Sequence, residues 1–143
     1  MRNETNQASI LIVEDNDINR IVVEALLRKY FKIESVINGI DALKAVEEKY
    51  FDIILMDIHL GDGELDGIEV MKIIRKNSKY NFIKIFAVTA YFDDKQWFLD
   101  QGFDDMYIKP VIKEEMLEAI NNIFSEKNKA EELSKIQNIS ENN

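Results

Sequence analysis

The chain has 143 residues, of which 46% are hydrophobic, and its formal net charge is −9 at pH 7. This length suits one domain with a buried core, and the negative charge argues against direct nucleic-acid binding, which uses a basic face. The chain has no cysteine for disulfides, no apolar stretch of membrane-spanning length and no signal-peptide layout at its start. We therefore predict a cytoplasmic protein that does not bind membranes.

Strand-length and helix-length segments alternate from the first apolar run, Ile10–Val13, which predicts a buried strand. The segment after it has the apolar spacing of a helix, and Asn16 or Asp17 can cap its start. The apolar face of this helix comprises Ile18, Ile21, Val22, Ala25, Leu26 and Leu27. A second strand over about Lys32–Ile37 follows, and Asn38–Gly39 predicts a turn.

The middle of the chain repeats this alternation. The second helix is marked by Ala42, Leu43, Ala45 and Val46. A central strand over about Asp52–Met56 and a glycine-rich loop lead to the third helix. The apolar positions of that helix are Ile68, Val70, Met71, Ile73 and Ile74. A fourth strand over Phe82–Val88 then precedes a fourth helix over Phe92–Gln101, which Gly102 ends.

The last strand ends at Ile108, and a fifth helix follows it. The apolar face of this helix comprises Met116, Leu117, Ile120, Ile123 and Phe124. Residues 127–143 are polar and predict either a helical extension or a disordered tail, in which Leu133, Ile136 and Ile139 match a heptad poorly. Five alternating units predict a doubly wound α/β fold with a five-stranded parallel sheet and five helices.

Polar side chains end four of the predicted strands. They are Glu14, Asp15, Asp57, Thr89 and Lys109. Because ligands of such sheets bind beyond the carboxyl ends of the strands, we expect these side chains to share one crevice. Crowded carboxylates repel one another, and oxygen ligands without cysteine favour a hard cation such as Mg²⁺. Asp57 can then act as a nucleophile that forms an aspartyl-phosphate, which Lys109 and Thr89 would contact.

In this order, the motifs resemble those of the response regulator receiver domain. They are Ile10–Asn16, Leu55–Ile58, Val88–Ala90 and Lys109–Pro110. The resemblance spans about residues 8–125 and implies a flavodoxin-like fold, similar to that of chemotaxis regulators, with strand order 2-1-3-4-5. We divide the chain into an N-terminal extension (1–8), a receiver domain (9–126) and a polar tail or helix extension (127–143).

The resemblance also implies roles for single residues. Asp57 would be the phosphoacceptor, and the metal site would be formed by Asp57, Asp15 as a direct Mg²⁺ ligand, Glu14 through water and the backbone carbonyl of His59. Thr89 would be the switch hydroxyl. Lys109 would contact the phosphoryl group and precede a cis peptide bond to Pro110.

The resemblance implies partners as well. A histidine kinase or a histidine phosphotransfer protein would donate the phosphoryl group, and a downstream protein would bind the face formed by helix 4, strand 5 and helix 5. The sequence around Val13–Asn16 is similar to that of receivers linked to hybrid sensor kinases. The chain would not be an enzyme beyond slow self-dephosphorylation, and dimerisation stays open.

Aromatic residues near the site prompt three further expectations. Met106 occupies the position where many receivers have a switching aromatic. Either this flexible side chain swings in its place, or it simply packs inside, in which case Tyr107 faces the opposite way. Of the adjacent Trp97 and Phe98, one should be buried and the other exposed. The bulky pair formed by His59 and Tyr91 should shield the acyl phosphate from water.

Two other functions fit parts of the sequence. A receiver-like module can bind partners or dimerise without phosphorylation, although all four motifs of the site are intact. A Mg²⁺-dependent phosphohydrolase also uses an aspartyl nucleophile, but such enzymes usually place an acidic residue two positions later, where this chain has His59.

Overall fold

The computed structural model describes residues 7–61, 65–91 and 94–141, which contain five strands, five α-helices and a 3₁₀ turn at Ser78–Tyr80. The strands are β1 (Ser9–Val13), β2 (Lys32–Val36), β3 (Ile53–Asp57), β4 (Lys84–Thr89) and β5 (Asp105–Ile108). The helices are α1 (Asp17–Leu27), α2 (Gly39–Glu48), α3 (Gly67–Lys76), α4 (Lys95–Gln101) and α5 (Lys113–Glu141). Within the described ranges, none of these helices has the length and apolar composition needed to cross a membrane.

The strands form one parallel sheet in the order β2-β1-β3-β4-β5, which confirms the predicted fold class and topology. Each strand runs in the same direction, so the carboxyl ends of all five lie at one edge of the sheet. Asp57 and Thr89 are the last residues of β3 and β4, whereas the sequence pattern placed each just after its strand. The predicted convergence of the polar residues therefore follows from the topology.

One face of the sheet carries the main hydrophobic core. Alternate strand residues point into it, among them Leu11, Ile54 and Ile85, which are fully buried. Helices α2, α3 and α4 supply Ala42, Ala45, Val46, Val70, Met71, Ile74 and Phe98 to the same cluster. Because this core fixes the strand register, it also fixes where the strands end.

Of the two alternatives for Met106, packing inside is the one observed, and the expectation for the Trp97–Phe98 pair is confirmed. Met106 belongs to the core cluster and is 8% exposed, whereas the ring of Tyr107 lies 5.5 Å from that of Phe86, which faces away from the cluster. Phe98 is buried, and its neighbour Trp97 is 46% exposed, with the two rings edge to face at 5.1 Å. Helical geometry explains the second result, since adjacent residues cannot share a face.

Helix starts follow side-chain caps more closely than apolar spacing. The Asn16 side chain accepts the Asn19 N–H at 2.9 Å and caps α1, as one of the two predicted alternatives. The prediction that the fourth helix begins at Phe92 is wrong, because Asp94 caps α4 and the helix begins at Lys95. Residues 92 and 93 lie outside the described residues.

The apolar face predicted for the first helix is largely exposed. Ile18, Ile21 and Val22 have exposed fractions of 74%, 59% and 48%, and Leu27 alone is fully buried among the apolar residues of α1. Periodicity predicted the helix correctly, but it did not show that most of its apolar face lies in solvent and not in the core. The exposed residues form a patch, Ile18–Ile21–Val22, one turn away from Asp15 along the chain.

The described part of the chain divides into two compact units between Ile112 and Lys113. Helix α5 runs to Glu141 as one continuous helix, so of the two predicted alternatives the helical extension is observed through that residue. Met116 and Ile120 are buried, whereas Leu133, Ile136 and Ile139 are each more than 60% exposed. Residues 142 and 143 lie outside the described residues.

Arg75 at the end of α3 ties the turn between α4 and β5 to the start of β4. Its guanidinium donates to the Asp104 carboxylate at 2.6 Å, to the Ile83 carbonyl at 2.8 Å and to the Gly102 carbonyl at 3.4 Å. Asp104 also accepts the Ile85 N–H at 2.8 Å. The carboxylate and the guanidinium thus hold together the end of α3, the turn between α4 and β5, and the start of β4.

We expect Arg75→Met to lower the free energy of unfolding by about 2 kcal/mol, because two backbone carbonyls and a carboxylate would lose charge-assisted hydrogen bonds. Urea denaturation at pH 7 measures this change. Lys72→Met, on the exposed side of the same helix, is the matched control and should change the free energy by less than about 0.5 kcal/mol. Equal effects of the two substitutions would contradict the bridging role of Arg75.

Candidate functional site

The five polar residues singled out in the sequence come together at the carboxyl edge of the sheet. Glu14 and Asp15 follow β1, Asp57 and Thr89 end β3 and β4, and Lys109 follows β5. Glu14, Asp57 and Thr89 are buried, whereas Asp15 is exposed at the mouth. The Lys109–Pro110 peptide bond is cis, as predicted.

The Lys109 ammonium lies between two buried carboxylates. Its Nζ atom is 2.8 Å from Glu14 Oε2 and 3.2 Å from Asp57 Oδ2. Only 19% of the Lys109 side chain is exposed, so water screens these ion pairs weakly. The lysine is therefore the cation that offsets the charge of both carboxylates inside the pocket.

The pocket shifts the pKa of Asp57 strongly. Burial, followed by the charge of Glu14, raises the pKa of Asp57 from 3.8 to about 7, although Lys109 and the His59 N–H oppose the shift. Burial also disfavours the charged form of Lys109, but its contacts with Glu14 and Asp57 outweigh this effect and raise its pKa. The pocket holds more negative charge than a single lysine compensates.

Three carboxylates are arranged as a candidate metal centre. Oxygen atoms of Glu14, Asp15 and Asp57 all lie within 4.8 Å of one another. Their ligand atoms are hard oxygens, which suit Mg²⁺, and the raised pKa of Asp57 marks a place where added positive charge is stabilising. On these two grounds the residues fit a magnesium ion.

The Thr89 hydroxyl is fully buried at the end of β4. Its oxygen accepts the Tyr91 N–H at 3.3 Å, and the Thr89 carbonyl accepts the Lys109 N–H at 2.7 Å. The backbone thus connects the threonine directly to the lysine of the pocket.

Several residues that support the site carried no clear signal in the sequence. The Asn19 side-chain amide and the Asn16 N–H each donate to Glu14 Oε1 at 3.4 Å, which orients this carboxylate. Gly61 adopts φ +62°, and a Cβ there would lie 2.7 Å from Asp15 Oδ2. A Cβ at Gly67 would collide with the Asp57 carbonyl. Both glycines were visible in the sequence, but the closeness of Gly61 to the Asp15 carboxylate and of Gly67 to the Asp57 backbone carbonyl was not.

His59 and Tyr91 form a ring pair at the mouth of the pocket. Both side chains are exposed, and their rings meet edge to face with centroids 5.3 Å apart. The His59 N–H also donates to Asp57 Oδ1 at 3.2 Å. Beside this pair a groove of about 420 Å³ opens, lined by Ile58, His59, Ile68, Asp94, Trp97 and Phe98.

Comparison with known proteins points to one family. The family model of the response regulator receiver domain matches residues 10–121. The sensor kinase/phosphatase LuxQ of Vibrio vulnificus is 36% identical over 110 residues, which are 75% of this chain and 12% of LuxQ. A probable histidine kinase of Oryza sativa is 42% identical over 72 residues, 50% of this chain and 7% of that kinase. The chain thus spans only a small part of these relatives.

Solved structures agree with this assignment. The receiver domain of the sensor histidine kinase PA1611 of Pseudomonas aeruginosa, with magnesium in its active-site cleft, is 31% identical with a TM-score of 0.74. That match covers 83% of this chain and 98% of the other. A Francisella response regulator receiver domain has a TM-score of 0.76 at 22% identity, covers 85% of this chain and 99% of its own, and supports the fold alone.

The pKa of Asp57 predicts how stability depends on pH. Because the folded state binds the Asp57 proton more tightly than the unfolded chain does, this contribution to stability is complete below pH 3.8 and lost as pH rises through about 7. We expect Asp57→Asn to raise the free energy of unfolding by roughly 2–4 kcal/mol at pH 8, and the gain to shrink steadily towards pH 4.

Urea denaturation of both proteins across this pH range, with a chelator present, measures the difference. Asp100→Asn, on the exposed surface of α4, is the matched control and should show no such trend. A gain from Asp57→Asn that is the same at pH 4 and pH 8 would contradict the buried-charge explanation.

Proposed function

Because the chain belongs to the response regulator receiver family, we propose that it accepts a phosphoryl group on Asp57 in a two-component system or phosphorelay. Members of this family are signalling modules rather than conventional enzymes. The observation that carries the proposal is the position of Lys109 Nζ between Asp57 and Glu14, beside the third carboxylate, Asp15. This arrangement suits a charge-dense group that arrives at the mouth of the pocket.

The proposed donor is the phosphohistidine of a histidine kinase or of a histidine phosphotransfer protein, since several relatives of this chain are histidine kinases. A carboxylate oxygen of Asp57 attacks phosphorus in line, forming a P–O bond while the P–N bond to histidine breaks. The histidine leaves with the electron pair of that bond. The product adds about −1.5 to −2 charges to the pocket.

Asp15, Asp57 and, through water, Glu14 would hold Mg²⁺, with the His59 carbonyl as a further ligand. When bound, the ion supplies positive charge that lowers the repulsion between the carboxylates and the incoming phosphoryl oxygens. The exposed Asp15 gives solvent access to this position, and Asn16 and Asn19 hold the Glu14 carboxylate in orientation. Two neutral donors do this without adding charge.

We propose that Lys109 and Thr89 respond to the new charge. Lys109 transfers its contact from Glu14 and Asp57 to a phosphoryl oxygen, and the Thr89 hydroxyl donates to another. The backbone bond between these residues couples their movements. The change then biases α4 and β5, which are joined by a 2.8 Å ion pair between Lys95 and Asp105.

The exposed Ile18–Ile21–Val22 patch supports the proposed phosphodonor. Three aliphatic side chains that project from the first turns of α1 into solvent suit a contact with another protein. The helix starts at Asp17, two residues after Asp15, so a partner bound there would lie beside the mouth of the pocket. We therefore assign this patch to docking of the kinase or phosphotransfer protein.

The phosphorylation-independent module is the alternative. Such a module requires no metal and no reactive carboxylate. It would therefore leave the cluster of carboxylates around a buried lysine without a function. A phosphohydrolase is less well supported, because His59 is exposed where an acidic residue would be expected and its ring rests against Tyr91. We assign the chain no enzymatic turnover beyond slow hydrolysis of its own phosphoryl group.

The first test is the mass of the intact protein after incubation with Mg²⁺ and acetyl phosphate or phosphoramidate. We expect a gain of one phosphoryl group, about 80 Da, that is absent in Asp57→Ala and is prevented by a chelator. Asp52→Asn is the control. Asp52 immediately precedes β3 and lies at the opposite edge of the sheet, so this variant should still be modified. No gain under saturating Mg²⁺ would favour the phosphorylation-independent alternative.

A second test concerns the lifetime of the phosphoryl group. We expect the double variant His59→Ala and Tyr91→Ala to lose it about tenfold faster than the wild type, because removing the ring pair admits water to the acyl phosphate. Mass spectra taken over time after the phosphodonor is removed measure the rate. Phe82→Ala removes an exposed aromatic at the opposite edge and should leave the rate unchanged; an unchanged rate in the double variant would refute shielding.

A further inference from the structure

Three helix-to-strand connections repeat one residue pattern. A lysine is followed by a tyrosine and then, at once or after one residue, by a phenylalanine. The three copies are Lys29-Tyr30-Phe31, Lys49-Tyr50-Phe51 and Lys79-Tyr80-Asn81-Phe82. They lead into β2, β3 and β4, so they lie where these strands begin, at the edge opposite the acidic pocket. We call segments 28–32, 49–52 and 77–84 the lysine–tyrosine edge.

The hydrophobic core explains only part of this pattern. Phe31 and Phe51 are buried, and Phe51 belongs to the core cluster. Tyr50 and Phe82 instead have exposed fractions of 59% and 40%, and neither belongs to the core cluster. Exposed aromatic side chains in contact with each other are typical of surfaces that bind another protein.

The exposed pair is rigid. The rings of Tyr50 and Phe82 stack nearly parallel, with centroids 5.1 Å apart and an angle of 6°. The Tyr50 hydroxyl donates to Asp52 Oδ1 at 2.9 Å, and the other oxygen of this buried carboxylate accepts the Ser9 N–H at 2.9 Å. Because Asp52 fixes the tyrosine before any ligand arrives, binding loses little side-chain entropy.

The edge is basic although the chain as a whole is acidic. Its three segments contain six lysine and arginine residues and one acidic residue, the buried Asp52. The whole chain, by contrast, has 18 lysine and arginine residues and 27 aspartate and glutamate residues. Lys32, Lys49 and Tyr50 line a surface depression of about 220 Å³. Glu34 in its wall pairs with Lys49 at 2.9 Å, and Glu24 pairs with Arg28 at 3.2 Å. Lys84 lies 3.9 Å from Asp104, but that carboxylate is already paired with Arg75 at 2.6 Å, so Lys32 and Lys84 keep most of their positive charge for a ligand.

We propose that the lysine–tyrosine edge binds an acidic segment of a partner protein, in which an aromatic or aliphatic side chain lies between carboxylates. The apolar side chain packs on the Tyr50–Phe82 stack, and the carboxylates pair with Lys32 and Lys84, the first residues of β2 and β4. A short segment interacts with charges within a screening length of about 8 Å, where the edge is positive. A long polyanion such as nucleic acid is repelled by the net charge of −9.

The test uses a fluorescein-labelled peptide of about 12 residues, with phenylalanine at every third position and glutamate elsewhere, followed by anisotropy at about 150 mM salt, where the screening length is about 8 Å. We expect saturable binding to the full chain, weakened at least fivefold by the double variant Lys32→Glu and Lys84→Glu and about threefold by Phe82→Ser. Lys44→Glu with Lys72→Glu makes the same change in net charge on exposed helix surfaces and should weaken binding less than twofold.

Three outcomes would overturn the proposal. They are the absence of saturable binding, equal losses in the two charge-reversal variants, and tighter binding of a single-stranded oligothymidine or of vesicles containing phosphatidylserine than of the peptide. The same variants are also treated with acetyl phosphate, which reports on Asp57 at the other edge. Modification should be unchanged in all of them, so this result and the result for the proposed phosphoacceptor are independent.

Discussion

The ion pairs of Lys109 with Asp57 and Glu14 are the interaction on which the site depends. A parallel sheet brings the ends of all its strands to one edge, and here that edge collects three carboxylates within 4.8 Å. Two of them are buried, and burial, followed by the charge of Glu14, raises the pKa of Asp57. The lysine makes this arrangement compatible with folding, and the remaining excess of negative charge suits a metal cation.

Much of the fold and of the site could be predicted because two simple patterns coincide. Buried parallel strands are short continuous apolar runs, and each such run here ends in a polar residue, as at Asp57 and Thr89. The topology then brings these residues together regardless of loop details. Met106 and the Trp97–Phe98 pair were predictable for a similar reason, since strand alternation and helical geometry are local properties.

Features that depend on distant packing were not predictable. Apolar spacing identified α1 but could not show that Ile18, Ile21 and Val22 lie in solvent, because burial depends on the neighbours of a helix and not on its period. The start of α4 was missed for a different, local reason, since the Asp94 cap and not the apolar spacing sets it. The close approach of Gly61 to Asp15 depends on how the loop after β3 folds back. The stack of Tyr50 on Phe82 joins residues 32 positions apart in the chain.

The place of Trp97 gives the molecule an optical property. It is the sole tryptophan of the chain, its indole is about half exposed, and it lies edge-on against the buried ring of Phe98 beside the groove that includes His59. A rearrangement of α4 that moves this indole relative to Phe98 would change how much water surrounds it, and the wavelength of its emission would change accordingly. The state of the helix beside the pocket can therefore be read from intrinsic fluorescence, in unlabelled protein and in real time.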